Sequence, residues 1–482
     1  MTKPNVPLRL LLISIILFGF WFDAHPVLAA STITVTTIFD SLADDGQCSL
    51  REAVIAANTD RAMGGCPAGN GADTIVFDSS LPLPATFTLT LAGANEDHSA
   101  SGDLDLTGIL TIQGSGAGQT IIDGNGTDRV FDIRPGATIT ISGITIQNGN
   151  PGSGANGGGI IVTGGAPRAK LTLLNSLVIS NRAIIGGGIQ NAGNGATAII
   201  QDTQIASNIA ATSGGGIANS GDLTMLNSTL TQNQARSGGG IEHSGFSMKL
   251  TNSTVSNNSA SDNGGGLYNR GDAIILNSTF NGNIASGPDT GGNIFQDTAS
   301  MAIKNSILAG SDTDGNCFIN EGFLTSQGNN LDSGNTCGFN GSGDQVNADP
   351  MLGPLQNNGG ITLTHAPLTG SPAIDAGTND GCPSFDQRGF LRPMDGDLNG
   401  IAICDIGAYE VQDLTPTATP SITPPTMDTG TPTPAQPPTV THTPAPPTPT
   451  PMPSAPSCYN AGVVLILIVL LFSRLTSKWL AF

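Results

Sequence analysis

The sequence predicts an all-β protein whose main body is a parallel β-helix, a coil of short strands stacked in register. A polar segment recurs at Asn227, Asn252 and Asn277, and looser copies flank these three. A repeat of about 25 residues indicates a solenoid, in which each unit buries its apolar face only by stacking on its neighbours. The apolar stretches are short, rich in β-branched residues and bounded by Gly, Asn and Ser. That pattern favours strands over paired helices.

When the repeats are aligned, apolar residues fall into three columns. The columns are Leu173, Ile200, Met225, Leu250, Ile275 and Ile303; Val178, Ile205, Leu230, Val255, Phe280 and Leu308; and Ile189, Ile217, Ile241, Leu267 and Ile294. Three apolar columns per repeat, separated by Gly and Asn turns, predict a three-sided coil from about residue 73 to 345.

Asparagine and glycine occupy the predicted turns. One polar column consists of Asn181, Asn208, Asn233, Asn258 and Asn283. Amide side chains at a fixed turn position can hydrogen-bond from coil to coil, and Asn tolerates the left-handed backbone that tight turns need. Gly runs such as 238–240 supply positive φ where the chain turns sharply.

The composition fits turn-rich β structure, with 65 Gly, 11% charged residues and 5% aromatics among 482 residues. The formal net charge of −20 argues against nucleic acid and anionic membrane surfaces as partners, because both attract basic patches. Acidity of this kind keeps an exported protein soluble. We expect a monomer without a cofactor.

Both ends of the chain carry targeting patterns. Residues 1–29 have Lys3 and Arg9 before an apolar run, then small residues at the cleavage positions. They predict a secretory signal peptide, with an uncleaved anchor as the alternative. Residues 413–457 are a Pro/Thr-rich spacer, which stays extended because it cannot bury a core. Residues 458–482 hold an apolar run followed by positive residues, and predict a membrane anchor or sorting signal that tethers the body outside the cell.

Residues 30–72 predict an N-terminal cap with one short helix. Ser49 and Glu52 have the spacing of a capping box, and the residues after Ser49 place apolar side chains on one face. Such a helix would cover the first coil, whose open strand edge otherwise invites aggregation. We therefore interpret Arg51 and Glu52 as structural rather than catalytic residues.

Two motifs carry a family resemblance. Residues 48–53 spell CSLREA, which resembles the motif that names a family of exported bacterial β-helix proteins. Residues 346–412 contain SPAIDAGTN and end on DIGAYE, a pattern similar to the end of the β-helix in choice-of-anchor proteins. The Gly-Gly-Gly-Ile repeats also resemble, in architecture only, those of polymorphic outer membrane proteins. These resemblances imply a right-handed parallel β-helix with the pectate-lyase-like fold and an end module at 346–412.

Seven cysteines in an exported chain leave one over. Proximity along the chain favours the pairs Cys48–Cys66, Cys317–Cys337 and Cys382–Cys404. Each bridge would tie down an end module, where coil stacking is weakest. Cys458 is then unpaired beside the apolar tail, where it is either a lipid or sorting site or an incidental thiol.

Residues that could carry catalysis are sparse. Hydrolysis of a glycosidic bond needs two carboxylates, and a lyase needs a base beside a cation or an arginine clamp. The regular coils have only scattered carboxylates, with Lys249 and Lys304 near strand positions and Phe246 and Tyr268 as aromatics. Acidic residues gather earlier, at Asp103, Asp105, Asp123, Asp128 and Asp132. We interpret them as solvated turn residues and assign no catalytic residue.

Two further polar sites have structural interpretations. Asp395, Asp397 and Asn399 match the first half of a calcium loop, but its twelfth position is Ile406 instead of Glu. An Asx-rich turn is the preferred interpretation, with calcium as the alternative, and no metal ligand is assigned. His243 replaces Asn in the column Asn191, Asn219 and Asn269. It is therefore interpreted as a satisfied turn residue.

These observations predict a surface-anchored β-helix protein that binds glycans or proteins without catalysis. The stacked columns explain nearly every recurrent position as structure, and no acid, base and metal set converges. The alternative is a polysaccharide lyase or glycoside hydrolase whose site lies along the acidic residues between 103 and 132. The fold does not decide between them, because polysaccharide enzymes share it.

Overall fold

The computed structural model describes residues 31–412, apart from 94–95, 153, 194, 288 and 312–314. The expected signal peptide, spacer and anchor (1–29, 413–457 and 458–482) lie outside the described residues. The described chain is a parallel β-helix with one helix, Leu50–Thr59, so the predicted fold class is confirmed. None of the described residues forms a helix that is long and apolar enough to cross a membrane.

Three long parallel sheets form the main sides of the coil, and each complete turn passes through sheets 1, 2 and 3 in that order. The strands of sheet 1 are Thr32–Val35, Ala72–Phe77, Ile109–Gln113, Thr138–Ser142, Lys170–Leu174, Thr197–Gln201, Asp222–Leu226, Ser247–Thr251, Ala273–Leu276, Ser300–Lys304 and Phe323–Ser326. The strands of sheet 2 are Ala85–Thr88, Thr120–Asp123, Thr145–Gln147, Leu177–Ile179, Gln204–Ala206, Thr229–Thr231, Thr254–Ser256, Thr279–Asn281, Ile307–Ala309, Leu331–Asp332 and Gln345–Val346. The strands of sheet 3 are Leu104–Leu106, Phe131–Ile133, Ile160–Thr163, Ile189–Ala192, Ile217–Asn219, Ile241–His243, Leu267–Asn269, Ile294–Gln296 and Cys317–Ile319.

A short fourth sheet adds a side that the three apolar columns did not indicate. Its strands lie between sheets 2 and 3 along the chain and are Arg182–Ile185, Ile209–Ser213, Gln234–Ala235, Ser259–Ala260 and Ile284–Ala285. Each strand buries a single small residue, such as Ala235 or Ala260. So weak a pattern could not be recognised in the sequence, and the expected three-sided coil has four sides over these turns.

The three predicted apolar columns form the core. Leu250 pairs in register with Met225 in the preceding turn and with Ile275 in the next. Every residue of the three columns is 0% exposed, so the predicted registration is confirmed. Burial of a large apolar side chain contributes about 1.5–3 kcal/mol, and stacking makes each turn depend on its neighbours.

The predicted asparagine ladder is also confirmed. Asn208 Nδ2 donates to Asn233 Oδ1 at 3.0 Å, and Asn233 Nδ2 donates to Asn258 Oδ1 at 2.9 Å. The left-handed backbone that we expected of the ladder lies in two other columns, represented by Asn252 with φ 46° and Asn257 with φ 56°. One set of Asn therefore satisfies buried polar groups while another makes the turns.

The glycine runs serve two physical needs. Gly238 has φ +64°, which matches the predicted turn role. Gly239 and Gly240 are required for a different reason, because a Cβ at either would lie 2.4 or 2.5 Å from a backbone oxygen of the next turn. The run thus lets adjacent turns approach closely as well as bend.

The cap helix begins at Leu50 with the predicted capping box. Ser49 Oγ accepts from Glu52 N at 3.1 Å, and Glu52 Oε2 accepts from Ser49 N at 2.9 Å. The apolar face, which includes Ala53 and Val54, is buried against the first turn. Sheet 1 already begins at Thr32–Val35, ahead of the expected start near residue 73, so the cap is part of the coil.

Residues 347–412 fold back along the outer face of sheet 2. Gln387 links two turns, because its Nε2 donates to Thr229 Oγ1 at 2.9 Å and its Oε1 accepts from Thr254 Oγ1 at 2.6 Å. In the next turn, Ala408 N donates to Thr279 Oγ1 at 3.1 Å. These threonines end three successive Asn-Ser-Thr repeats. The repeats are therefore most alike where this segment docks.

All three predicted disulfides are present, at Cys48–Cys66, Cys317–Cys337 and Cys382–Cys404. The first joins the cap helix to the loop that follows it, and the second closes the last turns of the coil. The third lies within the docked segment. The remaining cysteine, Cys458, lies outside the described residues.

Candidate functional site

Four of the five acidic residues noted in the sequence are buried at the first strands of sheet 3. The exposed fractions are 6% for Asp103, 1% for Asp105, 5% for Asp128 and 7% for Asp132, and we call these four the acidic cluster. The interpretation as solvated turn residues is wrong for them, because the loop before Leu104–Leu106 folds over the outer face of the sheet. Within that loop, Ser99 is fully buried and donates to Asp105.

Two arginines pair with the carboxylates of the acidic cluster. Arg129 Nε lies 2.6 Å from Asp103 Oδ2, and its Nη1 lies 3.8 Å from Asp132 Oδ2. Arg134 Nη1 lies 3.0 Å from Asp132 Oδ2 and 3.0 Å from Asp97 Oδ1. Two guanidinium groups are thus shared among five carboxylates when Asp105 and Asp128 are included.

The cap helix positions this cluster. Arg51 is 0% exposed and pairs with Asp40 at 2.6 Å. Its guanidinium donates to three carbonyl oxygens of the covering loop, those of Ser99 at 3.0 Å, Gly102 at 2.8 Å and Asp103 at 3.3 Å. The interpretation of Arg51 as structural is confirmed, and its contacts show that it also fixes the backbone of the candidate site.

Burial changes the protonation of the cluster. Desolvation raises the pKa of Asp103 to about 8 even though the Arg129 charge opposes the shift. One guanidinium shared among several carboxylates cannot offset the burial of each of them. Burial likewise raises the pKa of Asp105 to about 6 and raises that of Asp128. The raised pKa favours the protonated form of Asp103 at neutral pH, and in that form it could donate a proton.

Among the described residues, neither Arg134 nor Asp132 is free to act as a base beside Asp103. Burial disfavours the charged form of Arg134, but the neighbouring Asp132 and Asp97 carboxylates together raise its pKa. A catalytic base needs its pKa brought towards the working pH, which for arginine means a large decrease. A hydrolase would instead need a second carboxylate free to hold water. Asp132 is held by Arg134 and also accepts from Thr163 Oγ1 at 3.1 Å.

Sequence reasoning missed Arg129 and Arg134. The segment 128–134 reads Asp-Arg-Val-Phe-Asp-Ile-Arg, in which charged residues alternate with apolar ones around a short strand. That alternation places Asp132 on the outer face between two inward residues. The signal was present, but acidic residues beside Gly-rich turns were given more weight than strand periodicity.

The outer face of sheet 3 continues from Asp132 to an aromatic stack. Glu242 and Tyr268 are register partners in that face, and Phe295 and Phe318 follow. The centroids of Tyr268 and Phe295 are 5.3 Å apart, as are those of Phe295 and Phe318. Arg270 pairs with Glu242 and lies 5.2 Å from the Tyr268 centroid. The rings pack on one another, and Arg270 lies over the Tyr268 ring, so these contacts stabilise the stack.

The other residues considered in the sequence do not join the acidic cluster. Lys249 and Lys304 lie on sheet 1, several turns away, and Lys304 pairs with Asp380 at 3.0 Å. Phe246 is 62% exposed in a turn before sheet 1. Asp123 lies at the end of a sheet 2 strand. Sequence proximity alone grouped Asp123 with the cluster.

His243 is satisfied in the polar column of sheet 3, as predicted. Asn219 Nδ2 lies 2.8 Å from His243 Nδ1, and His243 Nε2 lies 3.1 Å from the carbonyl oxygen of Asp272. Burial lowers the pKa of His243, so the neutral ring is favoured. This histidine is therefore a structural replacement for asparagine.

One acidic trio could hold a metal ion. Asp375, Asp395 and Asp397 each place an oxygen within 4.8 Å of the others, and within the described ranges they are the only such trio. The loop's own amides use several of these oxygens, because Asn399 N donates to Asp395 Oδ1 at 2.9 Å and Gly400 N donates to Asp395 Oδ2 at 2.7 Å. The predicted Asx-rich turn is present, and the calcium alternative stays a prediction. Asp375 is an additional neighbour, supplied by the SPAIDAGTN segment.

Comparisons with known proteins bear on architecture only. No protein-family model matches the chain, and no curated protein matches it significantly. Among solved structures, the crystal structure of pectate lyase Pel9A is similar, with 14% identity and a TM-score of 0.42 over 79% of this chain and 96% of that one. At this identity and TM-score, the similarity says nothing about activity.

Proposed function

We propose that the protein is a cell-surface module that binds glycans along its β-helix without cleaving them. The observation that carries the proposal is the ion pairing of Arg134, whose Nη1 lies 3.0 Å from Asp132 Oδ2 and 3.0 Å from Asp97 Oδ1. The arginines of the acidic cluster are therefore committed to ion pairs and are poor bases. Glu242 and Arg270 neutralise each other further along the same face.

The chain ends and the disulfides support this location. Three disulfide bridges favour an oxidising, extracellular environment. The sequence of residues 458–482 resembles a membrane anchor or sorting signal, and the Pro/Thr-rich spacer would hold the β-helix away from the envelope. A tethered body suits binding to glycans or proteins at the surface.

A second candidate function is cleavage of polysaccharides at the acidic cluster. It is favoured by Asp103, whose pKa of about 8 leaves a proton available at neutral pH. In that case Asp103 would act as the general acid, and Asp132 would need to exchange Arg134 for a water molecule or a substrate carbon.

The two functions separate in a combined binding and turnover experiment on the full chain. A panel of neutral and acidic glycans is tested for binding, and the same mixtures are assayed for new reducing ends and for unsaturated sugar ends. We expect binding without either product. Product formation that is lost in Asp103→Asn and in Asp132→Asn, but kept in the exposed control Asp262→Asn, would replace binding with catalysis.

A further inference from the structure

The wall of the β-helix changes at Arg182, where the short sheet begins. In earlier turns the chain passes from sheet 2 to sheet 3 through loops, whereas in the next turns it passes through a strand. Two recesses adjoin at this step, with volumes of about 560 and 310 Å³, and both are lined by Arg182 and Asn150. We refer to the two recesses together as the Arg182 groove.

The larger recess is polar and ordered by its own hydrogen bonds. Asp123 Oδ2 accepts from Gln147 Nε2 at 2.8 Å and from Asn148 Nδ2 at 2.9 Å, and its Oδ1 accepts from Asn125 N at 2.8 Å. Asn125 and Asn148 both have positive φ, so the turns that carry them are also constrained. Polar groups that are already ordered lose little entropy when a ligand binds.

The smaller recess offers apolar surface. It is lined by Ala183, Ile184, Ile209 and Ala211 in addition to the two shared residues. Sugars combine hydroxyl edges with an apolar face of C–H groups, so a saccharide could meet amides on one side of Arg182 and aliphatic side chains on the other. From Thr88 to Ile209 the groove crosses four inter-turn steps of about 4.8 Å, roughly 19 Å in total. That length suits a short oligosaccharide.

Arg182 distinguishes this groove from the rest of the surface. Its side chain is exposed and has no carboxylate partner within the described part of the chain. Arg61, Arg168, Lys170 and Lys249 share that state, but none of them lines either recess. In a chain of net charge −20, an unpaired guanidinium in a groove leaves its planar fork of donors free for an anion.

We propose that the Arg182 groove binds an acidic oligosaccharide, with the guanidinium holding a carboxylate or sulfate of one sugar and the two recesses holding its neighbours. This inference rests on the proposed glycan-binding function and specifies its ligand class. Neither the acidic cluster nor the aromatic stack of sheet 3 takes part in it.

The test compares three tetrasaccharide probes on the full chain: an oligogalacturonate, a sulfated oligosaccharide and neutral maltotetraose. Variants are Arg182→Gln and the matched control Arg168→Gln, which removes an exposed, unpaired arginine outside the groove. We expect the wild type to prefer an acidic probe and Arg182→Gln to weaken its binding by roughly tenfold to a hundredfold, the effect of one charged hydrogen-bonded contact. The control should bind like the wild type, and Arg182→Lys should recover part of the loss.

The outcomes separate the inference from the function on which it rests. Preference for galacturonate over the sulfated probe, or the reverse, identifies the anion. Equal binding of acidic and neutral probes, unchanged in Arg182→Gln, would overturn the inference and leave glycan binding intact. Absence of binding to every glycan of the wider panel would remove the proposed function itself. Unchanged thermal melting of both arginine variants checks that any loss of binding is local.

Discussion

The irregular coils of residues 85–163 differ from the regular coils of residues 170–309 in what their polar residues do. In the regular coils, buried amides form ladders whose donors and acceptors are largely satisfied by the next turn, as with Asn233. In the irregular coils, polar residues form local clusters, among them the buried carboxylates around Arg129. The Arg182 groove lies at the boundary between them. Recurrence in this solenoid therefore indicates stacking, whereas the cluster of buried carboxylates occurs where recurrence fails.

The largest expected effect tests the core of the regular coils. Ile275→Asp places a charge in a column that is 0% exposed and should lower the free energy of unfolding by roughly 5 kcal/mol, because no partner is available there. The neighbouring Ile274 is 45% exposed on the same strand, so Ile274→Asp should change the free energy of unfolding by less than about 0.5 kcal/mol. Chemical denaturation of both variants provides the comparison. If the two variants were equally stable, the assignment of the inner and outer faces of sheet 1 would be wrong.

A smaller effect is expected from the asparagine ladder. Asn233→Ala removes acceptors for Asn208 and donors to Ile205 and Asn258, all in a dry interior. The expected loss is about 3 kcal/mol, since buried partners would be left unpaired. Gln204→Ala is the control, because this amide makes no side-chain hydrogen bond within the described residues. A ladder variant as stable as the control would mean that water replaces the lost amide.

These two tests concern residues that the sequence placed correctly. The apolar columns and the asparagine ladder recur at the same offset in every repeat, so alignment alone established their register. The capping box and the disulfide pairs were accessible because their partners are close in sequence. Each of these features depends on local pattern or on stacking of like residues.

The remaining features depend on contacts between distant segments. Gln387 lies 158 residues from Thr229 along the chain, and nothing in the local pattern of either residue indicates their hydrogen bond. Burial of the acidic cluster depends on the loop that Arg51 holds, across 48 residues to Ser99. The short sheet escaped prediction because its strands bury only alanine. Whether a charged residue is a solvated turn residue or part of a buried cluster therefore depends on which distant segment packs over it.

A pH dependence tests the irregular coils. Asp103 has a pKa of about 8 in the folded protein against an ordinary value of 3.8, so the folded state binds this proton more tightly than the unfolded state. Its stabilising contribution is complete below about pH 4 and is lost as pH rises through 8, by at most about 1.4 kcal/mol per pH unit. Asp103→Asn removes this titration. The free energy of unfolding should therefore fall less in the variant than in the wild type between pH 5 and 8.

That comparison isolates one carboxyl because Asp405, whose pKa burial also raises to about 8, is present in both proteins. Parallel pH profiles of the wild type and Asp103→Asn would show that Arg129 keeps Asp103 ionised. The carboxyl would then have no proton to donate at neutral pH, and the case for catalysis at the acidic cluster would weaken further.

Hydrogen exchange tests most directly whether ligand contact is confined to the irregular coils and their boundary. The full chain is labelled with and without the acidic tetrasaccharide that it binds most tightly. The account predicts ligand-dependent protection at 120–126, 147–152 and 180–211, with no change at 217–308. Protection centred on 217–308, with unchanged exchange around Arg182, would contradict this account, because the ligand would then contact the regular coils.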